Sequence, residues 1–136
     1  MKILKPILMT FVLVSAYSCA SIAVDQLQLQ STILTAGEGA RPKRVPQKEF
    51  KQEDVVVVIS SFTWADIEKS AGRHDVNWKW YNNDELVAVV KRTYEFRTSP
   101  WEVWSYISGQ GLGAGNNKVE VFVDDKLVTT QQFTVQ

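Results

Sequence analysis

Val-Asn-Trp-Lys-Trp, at residues 76–80, decides the fold class of this 136-residue chain. The apolar side chains of Val76, Trp78 and Trp80 alternate with polar ones, and a period of two is typical of a β-strand with one buried face. An amphipathic helix would instead repeat its apolar residues every three to four positions. Lys118–Val123 alternates in the same way. We therefore expect strands whose apolar faces share one core.

An uninterrupted apolar run lies upstream, at Val55–Ile59. Four adjacent valines favour the extended backbone, and a run without alternation predicts a strand that is buried on both faces. The segment from Trp64 to Gly72 then predicts a loop with one helical turn. Thr63 would cap this turn and Gly72 would end it.

Alternation continues downstream, at Trp101–Ile107. It places Trp104 and Tyr106 on the face opposite Trp101, Val103 and Ile107. The last predicted strand, Leu127–Val135, has three apolar residues on a shared face: Leu127, Phe133 and Val135. Turn residues separate these strands, at Asn82–Glu85, Ser99–Pro100 and Asp124–Asp125.

About seven short strands with almost no helical periodicity predict an all-β fold, an Ig-like antiparallel β-sandwich. We expect a single domain at residues 21–136. Antibody-type domains carry a disulfide between their sheets, but Cys19 is the only cysteine of this chain. Apolar packing must therefore hold the sheets together, and the tryptophans supply the bulk.

The first residues have the layout of a secretory signal peptide, which we place at residues 1–20. Lys2 and Lys5 form a basic start, and a run of about ten apolar residues follows, too short for a permanent membrane span. The sequence therefore predicts an exported protein. We expect the mature protein to be periplasmic, anchored to a membrane as a lipoprotein, or secreted.

Cys19 leaves two processing routes open. Ser18-Cys19 resembles the lipobox of bacterial lipoproteins, in which a signal of residues 1–18 is removed and the cysteine is acylated. Ala16 and Tyr17 fit this motif less well. The alternative is ordinary cleavage after Ala20 or Ala23, which would release a soluble protein.

The charge balance argues against nucleic acid as a partner. The chain has 15 basic and 15 acidic residues, and removal of residues 1–20 takes away two lysines and no acid, which leaves a net charge of −2. Nucleic-acid-binding proteins usually concentrate Lys and Arg on one face. The one basic cluster, within Arg41–Arg44, is expected to be solvated.

Three motifs together resemble a family of small Ig-like domains of unknown function in exported bacterial proteins. They are His74-x-x-x-Trp78, then Trp101-Glu-Val-Trp104-Ser105, then the ending Phe133-x-Val135. The resemblance covers about residues 50–136. This chain lacks the flanking arginines expected around the tryptophan-rich strand, and its glycine loop is longer. The resemblance implies the fold and the compartment, and it implies no catalytic residue.

The sequence contains no recognisable catalytic or metal-binding set. His74 is the only histidine, and no serine stands in a Gly-x-Ser-x-Gly elbow. We expect His74 to be structural, hydrogen-bonded to a loop carbonyl. The acidic clusters at Asn82–Glu85 and Asp124–Asp125 are expected to form turns. We expect no enzyme activity, no metal and no cofactor.

A glycine-rich segment, Gly109–Gly115, precedes the alternating segment Lys118–Val123. It is not a nucleotide fingerprint, because a strand follows where a helix would be required. We expect a mobile loop between strands. Loops at the end of a sandwich often bind ligands, so Gly111 and Gly113 are candidate binding residues.

Five tryptophans in a small domain give the strongest functional indication. Because Trp101 and Trp104 point to opposite faces of one strand, we expect at least one tryptophan outside the core. An exposed aromatic pair anchors a protein partner or stacks on a sugar ring. Trp104 and Tyr106 are therefore candidate binding residues. We expect a non-enzymatic interaction module of the bacterial cell envelope, or alternatively a glycan-binding module.

Overall fold

The computed structural model describes residues 22–38 and 41–136. Seven strands of eight to twelve residues and two strands of two residues account for most of this part of the chain. The strands are β1 (Gln28–Glu38), β2 (Arg41–Pro42), β3 (Glu49–Phe50), β4 (Val55–Thr63), β5 (Gly72–Asn82), β6 (Glu85–Phe96), β7 (Trp101–Ser108), β8 (Gly115–Val123) and β9 (Lys126–Val135). A 3-10 turn at Val24–Gln26 and the one-turn helix α1 (Gly109–Leu112) are the described helical elements.

The strands form two sheets, which confirms the all-β class. The first sheet has the order β2-β1-β4-β7 and the second has the order β3-β9-β8-β5-β6. Every pairing is antiparallel except that of β3 with β9. The predicted number of about seven strands omits β2 and β3, which are too short to show any period.

The core lies where the predicted apolar faces meet. Trp78 and Trp80 are fully buried on β5, and they lie opposite Val121 and Val119 of β8. The rings of Phe133 and Trp80 pack nearly perpendicular to each other, with 6.3 Å between their centroids. The first sheet contributes β4, which is buried at seven consecutive residues. This confirms the prediction of a strand buried on both faces.

The two-residue turn predicted at Asp124-Asp125 is present, and the turn predicted at Asn82–Glu85 also has two residues outside the strands, Asn83 and Asp84. All four residues have positive φ values, between 46° and 66°. This is the turn geometry whose twist matches that of paired strands, and Asn and Asp tolerate it better than other side chains do.

The prediction for Leu127 is wrong. Phe122 pairs with Leu127 while Val121 pairs with Thr129, so β9 has an extra residue, Val128, at this position. Such a β-bulge reverses the alternation beyond it. Leu127 is consequently 48% exposed, and Val128 packs against the core instead.

Two predicted loops can be compared with the structure. Between Trp64 and Gly72 the chain forms a loop with one hydrogen-bonded turn, in which the Lys69 N–H donates to the Asp66 carbonyl at 3.1 Å, and no helix is assigned there. The Trp64 ring is buried, and its Nε1 donates a hydrogen bond to the carbonyl of Lys69 at 2.7 Å. Gly72 opens β5 with a φ of 84°. The glycine-rich segment, expected to be a loop, holds α1 and the start of β8.

Candidate binding surface

β7 lies at the edge of the first sheet. It pairs with β4 along its whole length, from Trp101 opposite Phe62 to Ser108 opposite Val55. Its other side has no strand partner within the described residues. A strand in this position presents unpaired backbone N–H and C=O groups to its surroundings.

Trp104 and Tyr106 lie on the outer face of β7, as the alternation predicts. Their rings are nearly parallel, with an interplanar angle of 21° and centroids 5.8 Å apart. Trp104 is half-buried and Tyr106 is 45% exposed. We call these two side chains and the unpaired side of β7 the β7 surface.

The β7 surface ends an apolar band that crosses the first sheet. Trp104 lies opposite Ile59 of β4, and Ile59 lies opposite Ile33 of β1. Two residues further along β7, Tyr106 lies opposite Val57 of β4. Val57 and Ile59 are buried, and Tyr106 is the exposed end of the band. Cross-strand neighbours of this kind stabilise a sheet by contact on one face.

Side chains from the second sheet reach Trp104. The guanidinium carbon of Arg92 lies 5.4 Å from the centroid of the Trp104 ring, a cation–π contact. The hydroxyl of Tyr94 donates a hydrogen bond to the carbonyl of Trp104 at 3.5 Å. Arg92 and Tyr94 belong to β6, the edge strand of the other sheet. Nothing in the sequence pattern indicated that β6 and β7 are neighbours across the sandwich.

Glu102, the one charged side chain of β7, is paired. Arg44 donates two hydrogen bonds to its carboxylate, at 3.0 and 2.8 Å. These hydrogen bonds lower the pKa of Glu102 below its ordinary value and raise the pKa of Arg44. The basic cluster was expected to be solvated, so for Arg44 that expectation is only partly right: its side chain is 56% exposed but engaged.

The remaining tryptophans belong to the interior. Trp64, Trp78 and Trp80 are buried, and Trp101 is half-buried with its ring stacked on Phe96 at 6.3 Å. Trp104 is thus the tryptophan that the strand directs to the outer face.

The candidate glycines lie within a hydrogen-bonded junction at one end of the sandwich. The backbone N–H of Gly111 donates to the Ser108 hydroxyl at 2.9 Å, which caps α1. The carbonyl of Gly113 accepts hydrogen bonds from the side-chain amides of Asn82 and Asn117, at 3.0 and 3.2 Å. The structure gives both glycines a structural function, and their role in binding stays a prediction. They do not lie in the β7 surface as we define it.

His74 is buried, with 1% of its surface exposed. Its Nε2 donates to the carbonyl of Ala71 at 2.9 Å, and its Nδ1 lies 2.5 Å from a carboxylate oxygen of Asp124. The predicted hydrogen bond to a loop carbonyl is therefore present. Both ring nitrogens of His74 are thus engaged by other groups of the protein.

Cys19 and the predicted signal peptide lie outside the described residues. Within residues 22–38 and 41–136, no three side chains of His, Cys, Asp or Glu are grouped so that they could hold a metal ion. No helix in that part of the chain has the length and apolar character needed to cross a membrane.

Comparison with known proteins supports the fold alone. No family model matches the sequence, and no curated protein matches it. An immunoglobulin-like protein from Pseudomonas aeruginosa matches the structure with a TM-score of 0.56 at 7% identity, over 81% of this chain and 96% of that one. An alkylpurine DNA glycosylase from Pseudomonas fluorescens, bound to DNA containing an abasic site analogue, matches with a TM-score of 0.52 at 7% identity. This second match covers 82% of our chain and 30% of the glycosylase.

The first of these matches shows that the fold is Ig-like. At 7% identity, neither neighbour carries its activity over to this chain.

Proposed function

We propose that this protein is an exported, non-enzymatic binding module of the bacterial cell envelope, and that it contacts a partner protein through the β7 surface. An extended segment of the partner would add to the unpaired side of β7, with main-chain hydrogen bonds giving affinity and Trp104 and Tyr106 giving contact area.

The observation that carries this proposal is the contrast between β6 and β7, the long strands that stand last in the strand order of the two sheets. β6 carries exposed charges at Lys91, Arg92 and Glu95, and charges on an edge strand oppose pairing with another chain. β7 carries only Glu102, which Arg44 already pairs. Of these two strands, β7 is the one that lacks this protection, and its exposed end is aromatic.

The non-enzymatic part of the proposal rests on the only histidine. His74 is buried, and its two ring nitrogens engage Ala71 and Asp124. A general base must reach the proton that it abstracts.

A matched set of variants tests the partner interface. The unmodified protein and the variants Trp104→Ala, Tyr106→Ala and Leu86→Ala are used to capture partners from envelope extract at several salt concentrations. Leu86 is 54% exposed on β6 and serves as the control for loss of an exposed apolar side chain. We expect one partner to be retained by the Leu86 variant and weakened about tenfold by each aromatic substitution. Recovery of no partner at any salt concentration, or equal recovery by all variants, would reject the proposal.

Export and anchoring are tested separately. The mass of the mature protein gives the site of cleavage, and labelling with a radioactive fatty acid shows whether Cys19 is acylated. Cleavage before Cys19 with label would anchor the module to a membrane, and cleavage after Ala20 or Ala23 would release it. A mature protein that still begins at Met1 would contradict export.

A glycan-binding function is the second candidate, because the nearly parallel rings of Trp104 and Tyr106 offer an aromatic platform at the surface. It predicts binding on a glycan array that is lost in Trp104→Ala. An unchanged array profile for that variant would exclude a platform at this position.

A further inference from the structure

A groove of about 750 Å³ crosses one end of the second sheet, and none of its lining residues belongs to β7. Its floor is formed by two cross-strand pairs, Lys118 with Gln132 and Asn116 with Thr134. These four side chains point outward, because their neighbours Asn117 and Phe133 point into the core.

Two walls enclose this floor. On one side Lys48 and Glu49 lead into β3, and the N–H of Thr134 donates to the carbonyl of Lys48 at 2.9 Å. On the other side is the turn at Asn83-Asp84. Its first residue donates a backbone hydrogen bond to the carbonyl of Asn116 at 2.8 Å, and its side-chain oxygen accepts the Asn116 N–H at 3.2 Å. The backbone on both sides is therefore fixed before any ligand binds.

The charges within the groove balance. Lys48 and Lys118 are matched by Glu49 and Asp84, and Lys118 Nζ lies 3.7 Å from the carboxylate of Asp84 and 4.7 Å from the centroid of the Tyr81 ring. A strongly charged ligand would meet like charges as often as opposite ones. The groove is thus suited to a neutral ligand.

The floor offers amide and hydroxyl groups, which both donate and accept hydrogen bonds. Asn116 and Gln132 supply exposed amides, and Thr134 supplies a hydroxyl. At Thr134 and Val135 the edge of β9 is already paired with β3, so a peptide strand could not add to the sheet at these two residues. The groups that the floor offers for recognition are side chains.

From these features we infer a binding site for a neutral, polyhydroxylated ligand, a short oligosaccharide, in the groove between Lys48-Glu49 and Asn83-Asp84. Hydroxyl groups of the sugar exchange hydrogen bonds with Asn116, Gln132 and Thr134. This site is separate from the β7 surface and does not depend on the proposed function.

The test is an NMR titration of the purified protein with four probes: cellotetraose, maltotetraose, the tetramer of N-acetylglucosamine and, as the charged comparison, tetragalacturonic acid. We expect at least one neutral probe, at millimolar concentration, to shift the side-chain amide signals of Asn116 and Gln132. The double substitution Asn116→Ala/Gln132→Ala should weaken this binding about tenfold, since each lost hydrogen bond contributes a modest free energy. Both side chains are exposed, so the variant should fold, and its thermal unfolding midpoint verifies this.

Leu86→Ala, which removes an exposed side chain of β6 outside the groove, is the matched control, and it should bind the probe as the unmodified protein does. Binding that is kept in the double variant and lost in Trp104→Ala would place the glycan at the β7 surface and overturn the groove site. The inference would also be overturned if no neutral probe shifts the groove signals, or if the charged probe binds as well as the neutral ones. Failure of the partner-capture experiment, by contrast, would leave the groove site intact.

Discussion

At the scale of single residues, His74 links the start of β5 to a distant turn. One oxygen of the Asp124 carboxylate contacts His74 Nδ1 and the other accepts the N–H of Asp75 at 2.9 Å. The sequence predicted a structural role for His74, because His74 is the only histidine and lies at the start of a predicted strand. It could not predict Asp124, which lies 50 residues further along the chain.

The contribution of Asp124 can be separated from that of the turn itself. Asp124→Ala and Asp125→Ala both place alanine at a positive φ, so the backbone cost should be similar in each. Only the first removes the contacts to His74 and Asp75. We expect its free energy of unfolding, measured in urea, to be lower than that of the second by about 1.5–3 kcal/mol. Equal values would mean that the contacts with His74 and Asp75 add no net stability.

The pair of Arg44 and Glu102 should make stability depend on pH in the acid range. The hydrogen bonds from Arg44 lower the pKa of Glu102 in the folded protein below its ordinary value. The pair therefore stabilises the fold at pH values above the pKa that Glu102 has in the unfolded chain. This stabilisation is lost as the pH falls through the lower pKa that Glu102 has in the folded protein. Because both side chains are exposed, the effect should be below about 1 kcal/mol.

An NMR titration of the Glu102 carboxyl measures this directly. Arg44→Gln should raise the pKa of Glu102 toward its ordinary value. Arg97→Gln, which removes a partner of Glu95 instead, should leave the titration of Glu102 unchanged. An Arg44 variant whose Glu102 titrates as before would contradict the assigned cause.

At the scale of the elements, alternation predicted which residues face the core in β5, β7 and β8. It failed at β9, because a bulge adds one residue without any mark in the composition. At Trp64–Gly72 the capping residues predicted one helical turn; the loop there has a single hydrogen-bonded turn, from Lys69 to Asp66, and Gly72 begins β5 instead of ending a helix. Local patterns thus predicted strands and turns, and tertiary contacts decided the exceptions.

Helix α1 depends on a close approach that only glycine permits at its first residue. A Cβ on Gly109 would lie 2.6 Å from the backbone oxygen of Lys51, whereas a Cβ on Gly111 would meet the hydroxyl of Ser108, which can rotate. Gly109→Ala should therefore lower the free energy of unfolding by about 1–3 kcal/mol. Gly111→Ala should cost less, because loss of the cap is offset by the better helix propensity of alanine. Urea unfolding of the two variants compares them, and the reverse order would show that the backbone near Lys51 adapts.

At the scale of the whole molecule, the two candidate binding regions lie on different sheets. Trp104 and Tyr106 could be identified from the sequence, because alternation within one strand assigns them to the outer face. Arg92 and Tyr94, and the walls of the groove, could not be identified. They come together only when β6 packs beside β7 and when β3 pairs with β9.

The described residues share one core to which both sheets contribute, including Val58 and Val103 from the first and Trp78, Trp80 and Val121 from the second. Neither sheet can lose its partner without exposing this cluster to water, so we expect cooperative unfolding.

A chain comprising residues 21–136, which contains no cysteine, should unfold in urea with the same midpoint by tryptophan fluorescence and by circular dichroism. Reductant should leave this midpoint unchanged, because apolar packing rather than a disulfide holds the sheets together. Two separate transitions would show instead that the sheets are independently stable, and that the predicted single domain at residues 21–136 is wrong.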